Sequence, residues 1–306
     1  MTMAVLLCLG PVLDAAARTA IVLNSDDDSI SVVDGDLYRE TARFYIGRSP
    51  HHLTLTPDGG TLIIAMASGN ELVFVDRGTG TVKSRVAISD PYHIGFSPDA
   101  KWFVATSLRL DRVDIYEAAS FRLMYRLPAP SMPSHIGFSA DSATAFITLQ
   151  GTNTLTAIEL ETGKTRWMAS VGRQPAGVWV RAAGTVLVAI MGSDHIVEID
   201  PRDGSTVRRI PTGRGAHNFA MSVDGKTLYV SNRVAGTISL LDAETLAVTG
   251  DVPAPGGPDD MVLTPDGREL WVTGRFRAAV DVIDLTSGTL KKTIPVGRSP
   301  HGIFLY

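Results

Sequence analysis

The sequence is short of cysteine, of long apolar runs and of excess charge, and each shortage excludes a class of protein. Cys8 is the single cysteine among 306 residues, so we expect no disulfide framework, iron–sulfur cluster or thiolate-bound copper centre. The formal net charge is −4, which predicts no general attraction to nucleic acid or to an anionic membrane. No apolar stretch is long enough to cross a bilayer as a helix.

Common catalytic motifs are missing as well. The chain has no Gly-x-Ser-x-Gly elbow, phosphate-binding loop, dinucleotide fingerprint or His-Glu-x-x-His. Aromatic residues make up only 7% of the chain. The four tryptophans fall on segments predicted to be strands, where packing between sheets is their expected role.

The first seventeen residues differ from the rest of the chain. The apolar run Ala4–Leu13 has the length of a signal-peptide core, and residues 15–17 fit the small-residue cleavage rule. No Lys or Arg precedes the run, and a buried first strand is the alternative, which Pro11 disfavours. We therefore expect a signal peptide over residues 1–17, one domain over residues 18–306, and a periplasmic or secreted protein.

A repeat of 41 or 42 residues organises the remainder. Each unit contains four short segments rich in β-branched residues, separated by turn residues. A period in the forties with four strands per unit predicts a β-propeller. The repeat is marked by turns at Asp58, Asp99, Asp141, a degenerate Ala182-Ala183-Gly184, Asp224 and Asp266.

A seventh unit is divided between the two ends of the chain. Thr19–Leu23, Ile30–Asp34 and Thr41–Ile46 predict its last three strands, and Gly302–Tyr306 predicts its first. Pairing these segments would close the ring and leave no open sheet edge. The expected fold is all-β, a seven-bladed β-propeller of four-stranded blades, with no helix and no membrane span.

The repeat resembles that of a known family. Tyr229-Val230-Ser231-Asn232 and Trp271-Val272-Thr273-Gly274, with the Pro-Asp-Gly turns, resemble the YVTN-repeat propellers, which include the YncE-type periplasmic proteins. The resemblance covers nearly all of residues 18–306 and implies an extracytoplasmic seven-bladed propeller. It also implies links to single-stranded DNA binding and to quinone-dependent alcohol oxidation, and related propellers bind haem or copper.

Alignment of the units places six of the seven histidines in two columns. Both columns lie where the innermost strands begin, and these strands line the central channel of a propeller. The histidines are therefore expected at one mouth of the channel, with His195 in a loop on the same face. The first column is His51, Tyr92, Ser134, Ala176, His217, Asp259 and His301, and the second is His52, His93, His135, Gly177, Asn218, Asp260 and Gly302.

The second column indicates a metal site. His52, His93 and His135 come from three adjacent units, and imidazole is a ligand for copper and zinc. Three ligands with an open position are typical of a catalytic metal. A single histidine could instead be an axial ligand to haem, or duplication could have copied histidines that only cap strands. His51, His217 and His301 complete the candidate metal-binding set.

Arginines and two acids surround the same mouth. Guanidinium groups suit carboxylate, phosphate or haem propionates, and the alternative is a solvated rim of ordinary ion pairs. Adjacent strand residues point to opposite faces, so Asp259 and Asp260 are not expected to share a proton. The candidate ligand-binding rim is Arg48, Arg109, Arg112, Arg173, Arg214, Arg233, Arg275, Arg277, Arg298, Asp259 and Asp260.

Two functions remain open from the sequence. The first is an exported accessory protein, expected to be a monomer, that binds a small anionic ligand, a metal or a periplasmic protein partner without turnover. The second is an oxidoreductase that holds copper or haem at the histidines, accessory to quinone-dependent alcohol oxidation. Single-stranded DNA is a weaker candidate partner, because Tyr92 is the only aromatic residue in the two columns besides histidine.

Overall fold

The computed structural model describes residues 18–306, which form seven four-stranded antiparallel sheets in a ring. The predicted signal peptide lies outside the described residues. Residues 18–306 contain strands and turns but no helix, as the sequence predicted. A membrane-crossing helix is accordingly not found in this range.

Each sheet is one blade, and four consecutive strands form blades 1 to 6. Blade 1 contains β4 (Pro50–Leu55), β5 (Thr61–Met66), β6 (Glu71–Asp76) and β7 (Val82–Ala87). Blade 2 contains β8 (Ile94–Phe96), β9 (Trp102–Ser107), β10 (Arg112–Glu117) and β11 (Arg122–Pro128). Blade 3 contains β12 (Pro133–Phe138), β13 (Thr144–Leu149), β14 (Thr154–Glu159) and β15 (Lys164–Ser170). Blade 4 contains β16 (Pro175–Val180), β17 (Val186–Ile190), β18 (His195–Ile199) and β19 (Thr206–Pro211). Blade 5 contains β20 (Ala216–Met221), β21 (Thr227–Asn232), β22 (Thr237–Asp242) and β23 (Val248–Pro253). Blade 6 contains β24 (Pro258–Leu263), β25 (Glu269–Gly274), β26 (Ala279–Asp284) and β27 (Thr289–Pro295).

Blade 7 joins the two ends of the described chain and closes the ring. Its innermost strand is β28 (Pro300–Leu305), which pairs with β1 (Thr19–Asn24), followed by β2 (Ser29–Asp34) and β3 (Arg39–Tyr45). Apolar clusters on both faces of this blade continue into its neighbours. Ile21 packs with Leu62 of blade 1, and Val22 packs with Trp271 of blade 6. The predicted closure is confirmed.

Burial explains why the strands of one blade differ in sequence. The second strand is covered by the blades on both sides, so β5 is buried along nearly its whole length and is almost entirely apolar. The outermost strand lies at the circumference, and all six residues of β7 are exposed. Solvent-exposed polar residues are therefore most frequent on the outermost strand of this blade.

Hydroxyl groups of the repeat join one blade to the next. The Thr273 side chain donates to the backbone carbonyl of His301 in blade 7 at 2.9 Å and accepts from the backbone N–H of Asp260 at 2.9 Å. Each such hydroxyl group is therefore hydrogen-bonded to the first residues of two neighbouring innermost strands. The equivalent bonds between blades come from Thr106, Thr148 and Ser231, which donate to the carbonyls of Ser134, Ala176 and Asp259.

Replacing Thr273 by Val is expected to lower the free energy of unfolding by about 1–3 kcal/mol, because a buried N–H and C=O each lose their partner while the volume is conserved. Thermal and urea unfolding would measure the loss. The matched control is Thr206→Val on the exposed strand β19, expected to change stability by less than about 0.5 kcal/mol. Equal effects of the two substitutions would show that the inter-blade bonds contribute nothing.

Candidate metal centre at the channel mouth

A β-bulge places both columns on the channel. In blade 1, Pro50 pairs with Met66 and Leu53 pairs with Ile64, so two residues of β4 lie opposite one residue of β5. An extra residue breaks the alternation of side chains and re-aims one of them. The same register shift recurs at the start of the innermost strand in blades 3, 4, 5, 6 and 7.

The six histidines of the two columns form one cluster of rings. The His51 and His301 ring centroids are 3.8 Å apart, and His52 lies 4.4 Å from His301. His52 also contacts His93 at 4.3 Å. The cluster continues from His135 to His217, whose ring centroids are 5.3 Å apart. These separations bring the six histidines of the two columns into one group of neighbouring rings.

Three of the rings direct nitrogens at a common point. One ring nitrogen from each of His51, His52 and His301 lies within 4.8 Å of the others, and all three residues are buried. Nitrogens bound to one tetrahedral ion at 2.0–2.1 Å are roughly 3.3 Å apart. Binding an ion would therefore require the three nitrogens to move closer together. Among residues 18–306 this trio, and not His52 with His93 and His135, is the group of ring nitrogens that lies close enough together to be a candidate metal site.

Several of these nitrogens have no hydrogen-bond partner within the described chain. Buried polar groups are almost always paired in proteins, and each exception calls for an explanation. An ion that accepts the lone pairs would supply one. The unpaired atoms are Nδ1 of His51, Nε2 of His52, Nδ1 of His93, Nε2 of His135, Nδ1 of His217 and both ring nitrogens of His301. Nδ1 of His217 lies close to Asp259 but is not aligned for a hydrogen bond.

Burial keeps the rings neutral. Loss of hydration lowers the pKa of all six histidines, and for His93 it does so to about 4. At His52 the neighbouring histidines add to the effect, because two charged rings would repel one another. Neutral imidazole is the form that binds a metal, so protons compete weakly for these ligands at neutral pH.

Asp259 carries the negative charge of the cluster. It is fully buried, and its carboxylate accepts hydrogen bonds from Arg233 and, at 3.1 Å, from Arg275. Its Oδ1 lies 2.8 Å from Nδ1 of His217, and its Oδ2 lies 3.7 Å from Nε2 of His301. Burial raises the pKa of Asp259, but the facing His301, His217 and Arg233 lower it by more, so the pKa is well below its usual range.

The neighbouring Asp260 behaves in the opposite way. Burial, and then the charge of Asp259, raise the pKa of Asp260 to about 7. Asn218 donates a side-chain hydrogen bond to it. The two carboxyl groups bond to different partners, Asp259 to the two arginines and Asp260 to Asn218. The bulge between Pro258 and Met261 interrupts the strict alternation from which the sequence prediction about this pair was made.

Of the predicted rim, Arg233 and Arg275 turn inward to the cluster, and the other arginines lie farther out. Arg112 was expected in a loop but begins β10 and pairs with the buried Asp114. Three other arginines of the predicted rim form ion pairs: Arg109 with Asp90, Arg298 with Asp27 and Arg277 with Asp281. Arg173 donates a hydrogen bond to the Gly192 carbonyl. The side chains of Arg48 and Arg214 are exposed.

His195 stands apart from the other six histidines. It begins β18 on the same face of the ring, where Ile190 pairs with it. Its Nδ1 lies 2.9 Å from the Ser193 hydroxyl. Its side chain is 21% exposed, and its partners are local. This position makes it a natural control for the cluster.

The fold and the cluster define a seven-bladed β-propeller whose channel mouth is lined by histidine. A search of the curated proteins finds no match. The chain belongs to the YncE-like β-propeller family, whose model matches residues 5–306. The resemblance seen in the sequence is thereby confirmed.

Solved structures share the fold at low sequence identity. A functionally unknown protein from Desulfotomaculum acetoxidans is 17% identical with a TM-score of 0.78, over 94% of this chain and 98% of that one. Hydrazine synthase of Kuenenia stuttgartiensis is 21% identical with a TM-score of 0.70, over 83% and 88%. The dihydro-haem d1 dehydrogenase NirN, in complex with DHE, is 17% identical with a TM-score of 0.70, over 94% and 74%.

Proposed function

We propose that this protein is an exported metal-binding propeller that holds one copper or zinc ion at the channel mouth through His51, His52 and His301. The observation that carries the proposal is the convergence of three buried ring nitrogens within 4.8 Å of one another. Imidazole ligands suit copper and zinc. Three protein ligands leave a fourth position of a tetrahedral ion open to water or to a partner.

Asp259 supports this role. Its carboxylate lies 2.8 Å from Nδ1 of His217 and 3.7 Å from Nε2 of His301, where it can orient the rings of a metal site. Arg233 and Arg275 hold the carboxylate in place from the outer side. The carboxylate is thus fixed beside the rings that would hold the ion.

Haem is the second candidate ligand, and the relation to NirN motivates it. A haem needs one free axial nitrogen and a slot for a macrocycle. The unpaired nitrogens would meet the first requirement. Ring separations of 3.8–5.3 Å within the cluster leave less room than a porphyrin needs among the histidines, which favours a single ion.

Metal titration of chelator-treated protein tests the proposal. We expect one equivalent of Cu(II) or Zn(II) to bind, measured by calorimetry and elemental analysis. His51→Ala and His301→Ala should each weaken binding at least about tenfold, since each removes a ligand. His195→Ala, on the same face but outside the cluster, should change affinity less than about twofold.

The same titration separates the two possible ligand sets. If His93→Ala and His135→Ala abolish binding while His51→Ala and His301→Ala do not, the ion is held by the second column and the proposed ligand set is wrong. Failure of the unaltered protein to bind either metal would reject the metal site itself. A Soret band in protein isolated from its own cells would favour haem.

A further inference from the structure

The face opposite the histidine cluster contains a large apolar cavity. Its volume is about 920 Å³, which lies within the range of about 300–1,000 Å³ typical of pockets for small molecules. It lies where the innermost strands of blades 3, 4 and 5 end, so it occupies the other end of the channel region. Phe138, Trp179, Met221 and Leu228 supply much of its apolar wall, together with Pro98 of blade 2.

A departure from the repeat forms part of the cavity wall. In five other blades the turn after the innermost strand contains an Asp, as at Asp58, whose Oδ1 accepts bonds from Thr56 and the Gly60 N–H. Blade 4 has Ala183 at this position, and Ala182 and Ala183 both line the cavity. The cavity therefore lacks the carboxylate that the repeat would place there.

The cation that lines the cavity, Arg181, already has partners for both of its terminal nitrogens. Arg181 donates to Glu198 at 2.5 Å and also bonds the backbone carbonyls of Ala243 and Glu244 in blade 5. These bonds fasten the turns of two blades together and use both terminal nitrogens of the guanidinium. The wall is thus held in place before a ligand arrives, and it offers no free positive charge to an anion.

From these features we propose that the cavity is a binding site for an uncharged aromatic small molecule. Burial of a planar ring against Trp179, Phe138 and Met221 supplies the affinity through apolar contact and ring packing. An anion would find no free guanidinium donor, because the terminal nitrogens of Arg181 are bonded. The one carboxylate of the lining, Glu244, is exposed to solvent, and the missing turn Asp removes a second charge that a neutral ring would have to desolvate. The site is separate from the metal centre, because it lies at the opposite ends of the innermost strands.

A fluorescent probe tests this second site. N-phenyl-1-naphthylamine is uncharged and aromatic, and its emission rises in apolar surroundings. We expect saturable binding of one equivalent with Kd on the order of 10–100 µM, as the ligand efficiency of molecules this size allows. His52→Ala should leave this Kd unchanged, which separates the result from the fate of the proposed metal site.

Ala183→Asp is the decisive variant, because it restores the residue of the repeat on an exposed turn and brings a charge to the cavity wall. We expect it to weaken probe binding at least about tenfold. Thr286→Asp adds the same charge to an exposed turn of blade 6 and should leave Kd within about twofold. Trp179→Ala, with folding checked by circular dichroism, should also weaken binding.

Two results would overturn the proposal. One is no saturable signal from the unaltered protein up to the solubility limit of the probe. The other is equal affinity in the unaltered protein, Ala183→Asp and Trp179→Ala, which would mean that the probe binds at another apolar surface.

Discussion

Replacing Asp259 by Asn is expected to lower the free energy of unfolding by about 2–4 kcal/mol at pH 8, because the two partly buried guanidinium groups lose their common counter-charge. The side chains of Arg233 and Arg275 are only 16% and 22% exposed, so water compensates them incompletely. The thermal unfolding midpoint should fall by on the order of 5–10 °C. Calorimetry of the metal-free protein would measure it.

Asp260, the adjacent residue, gives a matched control, because its substitution is expected to change the free energy of unfolding in the opposite direction. Burial and the charge of Asp259 raise the pKa of Asp260 from its ordinary value of 3.8 to about 7. An acid with a raised pKa adds stability below its unfolded pKa, and this stability is lost as the pH rises through the folded pKa. At pH 8 the Asp260 carboxylate is therefore unfavourable, and Asp260→Asn should be neutral or stabilising by about 1 kcal/mol.

If Asp259→Asn and Asp260→Asn destabilise the protein equally at pH 8, the assignment of one stabilising and one unfavourable carboxylate is wrong. A loss confined to Asp259→Asn would support it. The two variants change the same functional group one residue apart, so differences in strand propensity do not explain a contrast between them.

Acidification of the metal-free protein from pH 7 to pH 5 is expected to remove several kcal/mol of stability. The folded-state pKa of each clustered histidine lies below the usual 6.5, so its contribution is fully present above pH 6.5 and is lost as the pH falls. Each ring contributes a slope of up to about 1.4 kcal/mol per pH unit. Protonation of Asp260 stabilises the folded protein over the same pH range, but this one group opposes the destabilisation from six histidines.

Thermal unfolding between pH 8 and pH 5 in the presence of chelator would test this slope. His93 has a folded pKa of about 4, so its share is lost between pH 6.5 and about pH 4. His93→Gln should reduce the slope in that window by up to about 1.4 kcal/mol per pH unit. A midpoint that stays constant from pH 7 to pH 5 would contradict the neutral buried cluster.

The propeller could be predicted because its signals are local. Turns such as Thr56-Pro57-Asp58-Gly59 make bonds within a few residues, and they recur at a fixed spacing that needs no knowledge of distant contacts. The closing of blade 7 followed from counting strands at the two ends. These features depend on sequence order, which an alignment of the repeat preserves.

The site could be predicted only in part. The columns identified six histidines. Strict alternation along a strand would point His51 and His52 to opposite faces, so it did not predict that both rings join one cluster. The bulge that brings them together depends on how β4 pairs with β5, which the sequence of β4 does not specify. The inward turn of Arg233 and Arg275 depends on the position of Asp259, which the repeat alone does not specify. The choice of His301 over His93 as a partner of His51 depends on ring geometry, which a list of equivalent positions does not contain.

The order of the strands along the chain has a consequence for how the protein matures. His51 and His52 lie on β4, whereas His301 lies on β28, which follows every other strand in sequence. During synthesis, the first two of the proposed ligands therefore emerge long before the third, and contacts this far apart form slowly. If the proposed site binds an ion, binding would require that the ring has closed, because a metal supplied earlier would meet an incomplete set of ligands.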